Sequence, residues 1–324
     1  MAIIKLLPTK DASIYSYLPD KNTGLDEILD VGVNQLENSV TRSLISFDSG
    51  SIALKKASIT GSYYESMKIY FCNAHTLPSE YSVQLKELVD NNWSNGIDKL
   101  TNGNSDTTGI TWNKYSASYL PTERLITENS YTVYSDKDLN FNLSGSTTYS
   151  YSIQFKNDLS IKSGSTFLLN LYSKDTHTIY QPYYELKYDD STYLNSLSGS
   201  VITTEPYVSL ANNPFKLFEG HKYRINVSCR EKFPSRTFQK VAQYNVKKYL
   251  PSTTYYAIRD LKSDFYVVDF DTNYTKVSLD SVGNFFIFDT TNLQTNRFYT
   301  IDIKTIVNGS EYIFKDDLYF KIND

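Results

Sequence analysis

Ser66-Met67-Lys68-Ile69-Tyr70-Phe71-Cys72 alternates between an apolar set, Met67, Ile69 and Phe71, and a second set led by Lys68 and Tyr70. A period of two puts successive side chains on opposite faces of an extended chain, so the run reads as a half-buried strand. The same alternation returns at residues 149–155, 167–172, 183–188, 222–229, 265–270, 285–289, 299–306 and 312–322. No long stretch carries the i, i+3, i+4, i+7 apolar stripe of an amphipathic helix, so helices are expected to be few and short. Residues 80–89 are open to either reading. Leu85, Leu88 and Val89 could share a helical face, whereas Val83 and Leu85 on either side of Gln84 fit a strand.

Working outward, turn chemistry separates these runs: Asn22-Thr23-Gly24, Ser94-Asn95-Gly96, Val282-Gly283-Asn284 and Asn308-Gly309 each sit between apolar segments. Many short strands with such spacing predict an all-β protein of sandwich type. The stretch 189–206, rich in Asp, Ser, Thr and Gly, follows a strong strand and is the natural boundary. The expectation is a jelly-roll-like β-sandwich over residues 1–190 and an immunoglobulin-like β-sandwich over residues 200–324, the second read from strand count. Its core faces should include Tyr223, Ile225, Val227, Phe286, Phe288, Ile301, Ile303 and Phe320.

Composition excludes several classes. The 324 residues are 40% hydrophobic and 15% aromatic, with 29 Tyr and 17 Phe, which is ample apolar surface for packed cores and rules out wholesale disorder. Lys+Arg 32 against Asp+Glu 36 gives a net charge of -4 with no dense basic run, so nucleic acid is not an expected partner. Apolar runs are only a few residues long, against the roughly 20 that a membrane helix needs. The N-terminal Met-Ala-Ile-Ile-Lys-Leu-Leu-Pro lacks a signal-peptide pattern, so synthesis in a cytoplasm is expected. Cys72 and Cys229 lie far apart and read as half-buried strand residues rather than a disulfide or zinc pair.

A family comes into view in the order of several cues: Asp11-Ala12-Ser13-Ile14-Tyr15, Asn22-Thr23-Gly24, Glu27-Ile28-Leu29-Asp30-Val31-Gly32, Arg42-Ser43-Leu44-Ile45-Ser46-Phe47-Asp48 and Ala57-Ser58-Ile59-Thr60-Gly61. Trp93-Ser94-Asn95-Gly96, Gly109-Ile110-Thr111-Trp112-Asn113 and Pro182-Tyr183-Tyr184-Glu185-Leu186-Lys187-Tyr188 complete it. This order resembles the DNRLRE-type β-sandwich, a module related to a carbohydrate-binding family, over about residues 1–190. Ser94 departs from the acidic residue that often follows the first tryptophan in that family. The chain also resembles virion structural proteins of tailed bacteriophages, including crAss-like and marine phages. Leu7-Pro8-Thr9-Lys10-Asp11-Ala12, residues 173–182 and Tyr255-Tyr256-Ala257-Ile258-Arg259-Asp260-Leu261 carry that likeness.

The residues offer little for catalysis. His75, His177 and His221 lack a metal-site or nucleophile context, and no Gly-rich phosphate loop opens a helix, so no cofactor or enzymatic activity is expected. Asp189-Asp190 are adjacent and would point to opposite faces of a strand, whereas Asp269 and Asp271 share a face where a loop cation could sit. Trp93 and Trp112 read as structural anchors that tie a loop backbone through the indole N–H. Arg42, between a polar loop and an apolar strand, is expected to pair with a carboxylate such as Asp11 or Asp48 rather than to contact a ligand.

The tyrosine surplus, for example Tyr63-Tyr64, Tyr183-Tyr184 and Tyr255-Tyr256, supplies amphipathic rings suited to protein interfaces. The resemblance implies a non-enzymatic structural component of a tailed-phage virion, in the neck, collar or tail region. Its partners would be copies of itself and portal, neck, tail or fibre proteins. The alternative is a carbohydrate-binding module that docks a virion or an enzyme onto glycans, for which Trp93, Trp112 and Tyr115 would form a plane of exposed rings. Tyr255 and Tyr256 complete the candidate contact residues.

Overall fold

The computed structural model describes residues 3–34, 39–103, 107–134, 137–160, 166–211, 215–234, 247–291 and 293–323. Strands dominate, as the alternation requires, and the chain divides into two units with separate cores. Residues Lys5–Thr60 and Tyr64–Glu185 form the N-terminal unit; Leu186–Asp324, with Met1–Ile4 and Gly61–Tyr63, forms the C-terminal unit.

The first twelve strands are β1 (Ile3–Leu6), β2 (Lys10–Tyr15), β3 (Ile28–Asn34), β4 (Ser39–Ser46), β5 (Tyr63–Ile69), β6 (Phe71–His75), β7 (Glu80–Glu87), β8 (Arg124–Thr132), β9 (Leu139–Asn142), β10 (Ser150–Phe155), β11 (Phe167–Tyr172) and β12 (Tyr183–Tyr188), of which Ile3–Ile4, Tyr63 and residues 186–188 count with the C-terminal unit. One sheet has eight strands, ordered β6-β11-β3-β4-β10-β7-β8 with β2 pairing to β4; the other runs β1-β12-β5-β9. The sheets pack face to face. The Tyr184 ring of β12 lies 6.0 Å from Phe47 and 5.9 Å from Tyr149, which flank strands of the larger sheet.

Two short α-helices interrupt the strands. α1 (Ser49–Ala57) starts at Asp48, whose carboxylate accepts the N–H groups of Gly50 and Ser51 and satisfies two orphan donors of the first turn. α2 (Trp112–Ser118) is capped by the Thr111 hydroxyl, which accepts from the Lys114 N–H. Residues 80–89 resolve as strand: Tyr81, Val83 and Leu85 of β7 point inward in strict alternation.

The run 66–72 is not one strand but two. β5 ends at Ile69 in the smaller sheet, and Phe71 opens β6 at the edge of the larger one, so Phe71 does not share a face with Met67 and Ile69. Tyr70, at the crossing, is buried with its ring 5.3 Å from Tyr180 and 6.1 Å from Tyr183. The sequence period carries no mark of the change of sheet, nor of the irregular register by which Phe71 comes to lie opposite Leu171.

The C-terminal unit comprises β13 (Pro206–Leu210), β14 (Lys216–Phe218), β15 (Lys222–Glu231), β16 (Thr254–Asp260), β17 (Tyr266–Val268), β18 (Ser278–Leu279), β19 (Asn284–Asp289), β20 (Phe298–Val307) and β21 (Ser310–Asn323). Its sheets are ordered β13-β15-β19-β18 and β14-β21-β20-β16-β17. Lettered in chain order as A, A′, B, C, C′, D, E, F and G, they read A-B-E-D and A′-G-F-C-C′, the strand order of an immunoglobulin sandwich. Tyr299, at the start of β20, donates its hydroxyl to the Gln294 carbonyl at 3.1 Å, the tyrosine corner of that fold. Two residues on, where antibody domains place a cysteine, stands Ile301. Tyr256 stacks on Phe286 at 4.2 Å across the sandwich, and Phe288 meets Phe320 at 5.4 Å. Ile225, Val227, Phe286, Phe288, Ile301, Ile303 and Phe320 all lie in this core, with Tyr223 packed at its margin.

Candidate functional site

On the face of the larger N-terminal sheet away from β12, a polar and aromatic site is built upon β2, β4, β10 and β7. Ala12, Ile14, Leu44 and Leu88 form its floor, and Trp93, Ile110, Tyr115 and Tyr119 close over them. The cover is the long segment joining β7 to α2, a connection of a length that compact domains seldom leave irregular without a use.

Three ammonium groups hold that segment by pairs of backbone carbonyls. Lys10 Nζ donates to Asn91 O at 2.6 Å and Trp93 O at 2.9 Å; Lys21 Nζ to Asn102 O at 2.7 Å and Gly103 O at 3.3 Å; Lys114 Nζ to Thr107 O at 2.6 Å and Gly109 O at 2.7 Å. Two turns interlock beside them. Asn22 Nδ2 donates to Asn95 O and Ile110 O, and Asn95 Nδ2 donates back to Gly24 O. The approach demands glycine: a Cβ on Gly24 would lie 2.0 Å from the Asn95 carbonyl oxygen, and one on Gly96, whose φ is +82°, 2.2 Å from Asn22 Oδ1.

Beneath this cover lies a sealed ion network. Arg42 of β4 forks onto Asp158, Nε to Oδ2 at 2.8 Å and Nη2 to Oδ1 at 2.9 Å, while Nη1 donates to the Tyr115 hydroxyl at 2.6 Å and stands 3.5 Å from Glu123 Oε1. Tyr115 donates onward to Glu123 Oε2; Lys86 Nζ reaches Glu123 Oε1 at 2.5 Å and Ser152 Oγ reaches Oε2 at 3.1 Å. The guanidinium carbon sits 5.7 Å from the Trp112 ring and 5.6 Å from that of Tyr115. Burial pulls the Arg42 pKa down, but Tyr115, Asp158 and Glu123 outweigh it and hold the cation charged. Two cations, two carboxylates and their hydroxyl donors satisfy one another, so the network binds the cover to the sheet and offers no free group to a substrate.

Arg42 pairs with carboxylates, as expected, but with Asp158 and Glu123 in place of Asp11 or Asp48. Asp48 caps α1, and Asp11, which neighbours Ala12 on β2, points to the opposite face of the sheet from Arg42. Trp93 is buried as expected of an anchor, but its indole N–H goes to the side-chain hydroxyl of Ser150 on β10, at 2.8 Å, and not to a loop backbone. Trp112 is half-buried and Tyr115 fully buried, their rings inclined at 51°. As a plane of exposed rings the three are corrected: Trp93 and Tyr115 are buried in packing on the sheet, and Trp112 alone of the three keeps part of its surface in solvent. Tyr255 and Tyr256 are likewise buried, the second in the core stack with Phe286. Asp269 accepts from the Phe270 N–H and Asp271 from those of Asn273 and Tyr274, so both cap turns; among the described residues no cluster of His, Cys, Asp or Glu has the makings of a metal site.

Exposed rings do converge in the C-terminal unit, at residues that were not singled out. Phe320 and Ile322 of β21 face the core, so Tyr319 and Lys321 face outward, and register carries the pattern across three strands. Lys216 pairs with Lys321 and Lys321 with Phe298; Tyr319 lies one row away, opposite Thr300. Phe298 (44% exposed) and Tyr319 (47%) meet edge to face at 5.5 Å, and Phe218 (51%) lies on the outward face of β14, where Lys216 and Phe218 alternate with the buried Leu217. Alternation in residues 312–322 already held the signal, since naming Phe320 as core places Tyr319 outside.

No family model matches the sequence, and no curated protein matches it. Among solved structures the chain has distant likeness to a truncated AlyQ with CBM32 and alginate lyase domains, at 8% identity over 97% of this chain and 80% of that one, TM-score 0.28. A DUF4785 family protein from Legionella pneumophila is similar at 12% identity over 98% and 66% of the two chains, TM-score 0.21. The tripod from the baseplate of bacteriophage Tuc2009 is similar at 11% identity over 98% and 91%, TM-score 0.18.

Proposed function

We propose that the chain is a non-enzymatic structural component of a tailed-phage virion, in the neck, collar or tail region, that assembles in multiple copies against itself and neighbouring virion proteins. The observation that carries this reading is the outward aromatic face of the C-terminal sandwich, where Phe218, Phe298 and Tyr319 lie exposed on the β14-β21-β20 sheet. Aromatic side chains are the residues most enriched at interface cores, and a contiguous exposed patch marks a contact surface more often than chance. The self-satisfied Arg42 network suits the same duty, since it stiffens a sandwich without presenting a reactive group. The resemblance to DNRLRE-type sandwiches and tailed-phage virion proteins in residues 1–190 and 255–261 supplies the setting. A mass-spectrometric inventory of purified virions should contain this chain at several copies per particle. Its absence from intact particles would overturn the reading.

A further inference from the structure

Asp11 stands apart from the site above. Its carboxyl group is 1% exposed, and Oδ1 meets no hydrogen-bond donor. Oδ2 accepts the backbone N–H of Lys174 at 2.6 Å, and the Lys174 ammonium lies 4.0 Å from Oδ1 while donating to Asp175 Oδ2 at 2.5 Å. Lys174 opens the loop after β11, which returns on itself through Gln181 Nε2 to the Lys174 carbonyl at 2.7 Å. Ser173 ties the loop's root to the Asp26 carbonyl and the Glu27 carbonyl. The Asp11 backbone N–H is donated to a neutral group, Asn95 Oδ1, at 2.8 Å. The charged groups facing Asp11 are thus Lys174 and Asp175, both on the loop.

We infer that the loop 173–181 is a proton-operated latch: protonated Asp11 holds it closed over the β2 strand, and loss of that proton releases it. An ionised carboxylate in this position keeps one oxygen without a donor and its only cation engaged elsewhere, a state that burial penalises heavily. Lifting the loop hydrates it. Burial raises the Asp11 carboxyl to about 7, against the opposing pull of the Lys174 N–H and ammonium. The sign follows by linkage. The closed form binds the proton more tightly than the open form, so closure is fully favoured at acid pH, weakens as pH rises from about 4, and levels off above about 7. In that window the ratio of closed to open falls about tenfold per pH unit.

Hydrogen–deuterium exchange of the full chain between pH 5 and pH 8, corrected for intrinsic exchange, tests this. Protection of peptides covering 173–182 should fall about tenfold per unit between pH 5 and 6.5 and flatten above 7, while β15 and β16 peptides stay unchanged. Asp11→Asn should make loop protection independent of pH. Two milder changes leave the burial intact: Lys174→Met should move the midpoint up, and Asp175→Asn should move it down. Loop protection in the wild type that ignores pH, or a slope that survives in Asp11→Asn, would overturn the latch, as would midpoints unmoved by the two loop substitutions.

Discussion

Arg42 divides its donors among Asp158, Tyr115 and Glu123 in a space closed to solvent, and each partner has come out of water to meet it. Removing the guanidinium leaves Glu123 with Lys86 and takes from Asp158 the cation that forks onto it. Arg42→Met should therefore cost about 3–5 kcal/mol in urea unfolding, far above an exposed ion pair, and Arg42→Lys should recover only part of this because it lacks the fork. A loss below about 1 kcal/mol would mean that the network is already solvated. Glu87 makes a pH-dependent contribution. Burial alone would raise its carboxyl, but the N–H groups of Thr147 and Thr148, with Arg124 and Ser146, bring it down to about 2. A depressed carboxylate stabilises the fold above its unfolded value near 4.5 and loses that contribution as pH falls toward 2. Acid titration of stability should be steeper in the wild type than in Glu87→Gln across that window, and equal slopes would remove Glu87 from the account. Neither partner set was legible in the sequence. Asp158 lies 116 residues from Arg42, and only the strand order brings them to one face.

At the scale of elements, strands were legible where one sheet face is buried along the run, as in β11 and β19, whereas β7 stayed open between helix and strand. The change of sheet at Tyr70 was not, because alternation fixes which residues share a face but not which sheet that face belongs to. α1 escaped notice for a different reason: it buries only Ile52, so no stripe develops, although Asp48 followed by Ser51 is a capping signal. The turn Ser94-Asn95-Gly96 after β7 and the turn Asn22-Thr23-Gly24 after β2 were both legible, but not that they interlock. That contact gives a steric prediction. Gly24→Ala would set a methyl group 2.0 Å from the Asn95 backbone oxygen, where no side-chain rotation relieves it. The expected cost is about 1–3 kcal/mol, with faster proteolysis of the segment between β7 and α2. Lys21→Met keeps the stem but strips two carbonyls of their ammonium, and it should loosen the same segment near residues 99–103 while the core of β15 and β16 stays as stable as before.

For the molecule as a whole, two self-contained cores leave the surface free to specialise, and the C-terminal unit shows where it has done so. Its edge strand β14 is blunted against simple strand addition, since the Phe218 N–H is already given to the Tyr223 hydroxyl at 2.9 Å. What remains available is the outward face, with Lys216 directly opposite Lys321 and rings on either side. Like charges opposite one another across a strand pair cost stability, so the arrangement is better explained by what it contacts than by what it does for the fold. A patch of this extent is smaller than the roughly 1,200–2,000 Å² of a stable interface, so it would serve as the centre of a larger contact. Phe298→Ser with Tyr319→Ser tests the idea at this scale. Both rings are nearly half exposed in the isolated chain, so unfolding stability should change by no more than about 0.5–1 kcal/mol. Association should respond quite differently: sedimentation equilibrium at rising concentration should show multimers of the wild type and a dissociation constant at least about tenfold weaker for the double variant. Raised salt should weaken the wild-type contact further if the two lysines meet acidic groups on a neighbouring copy. Equal self-association in both proteins would move the contact surface elsewhere, and a double variant that unfolds more readily would assign these rings to the fold instead.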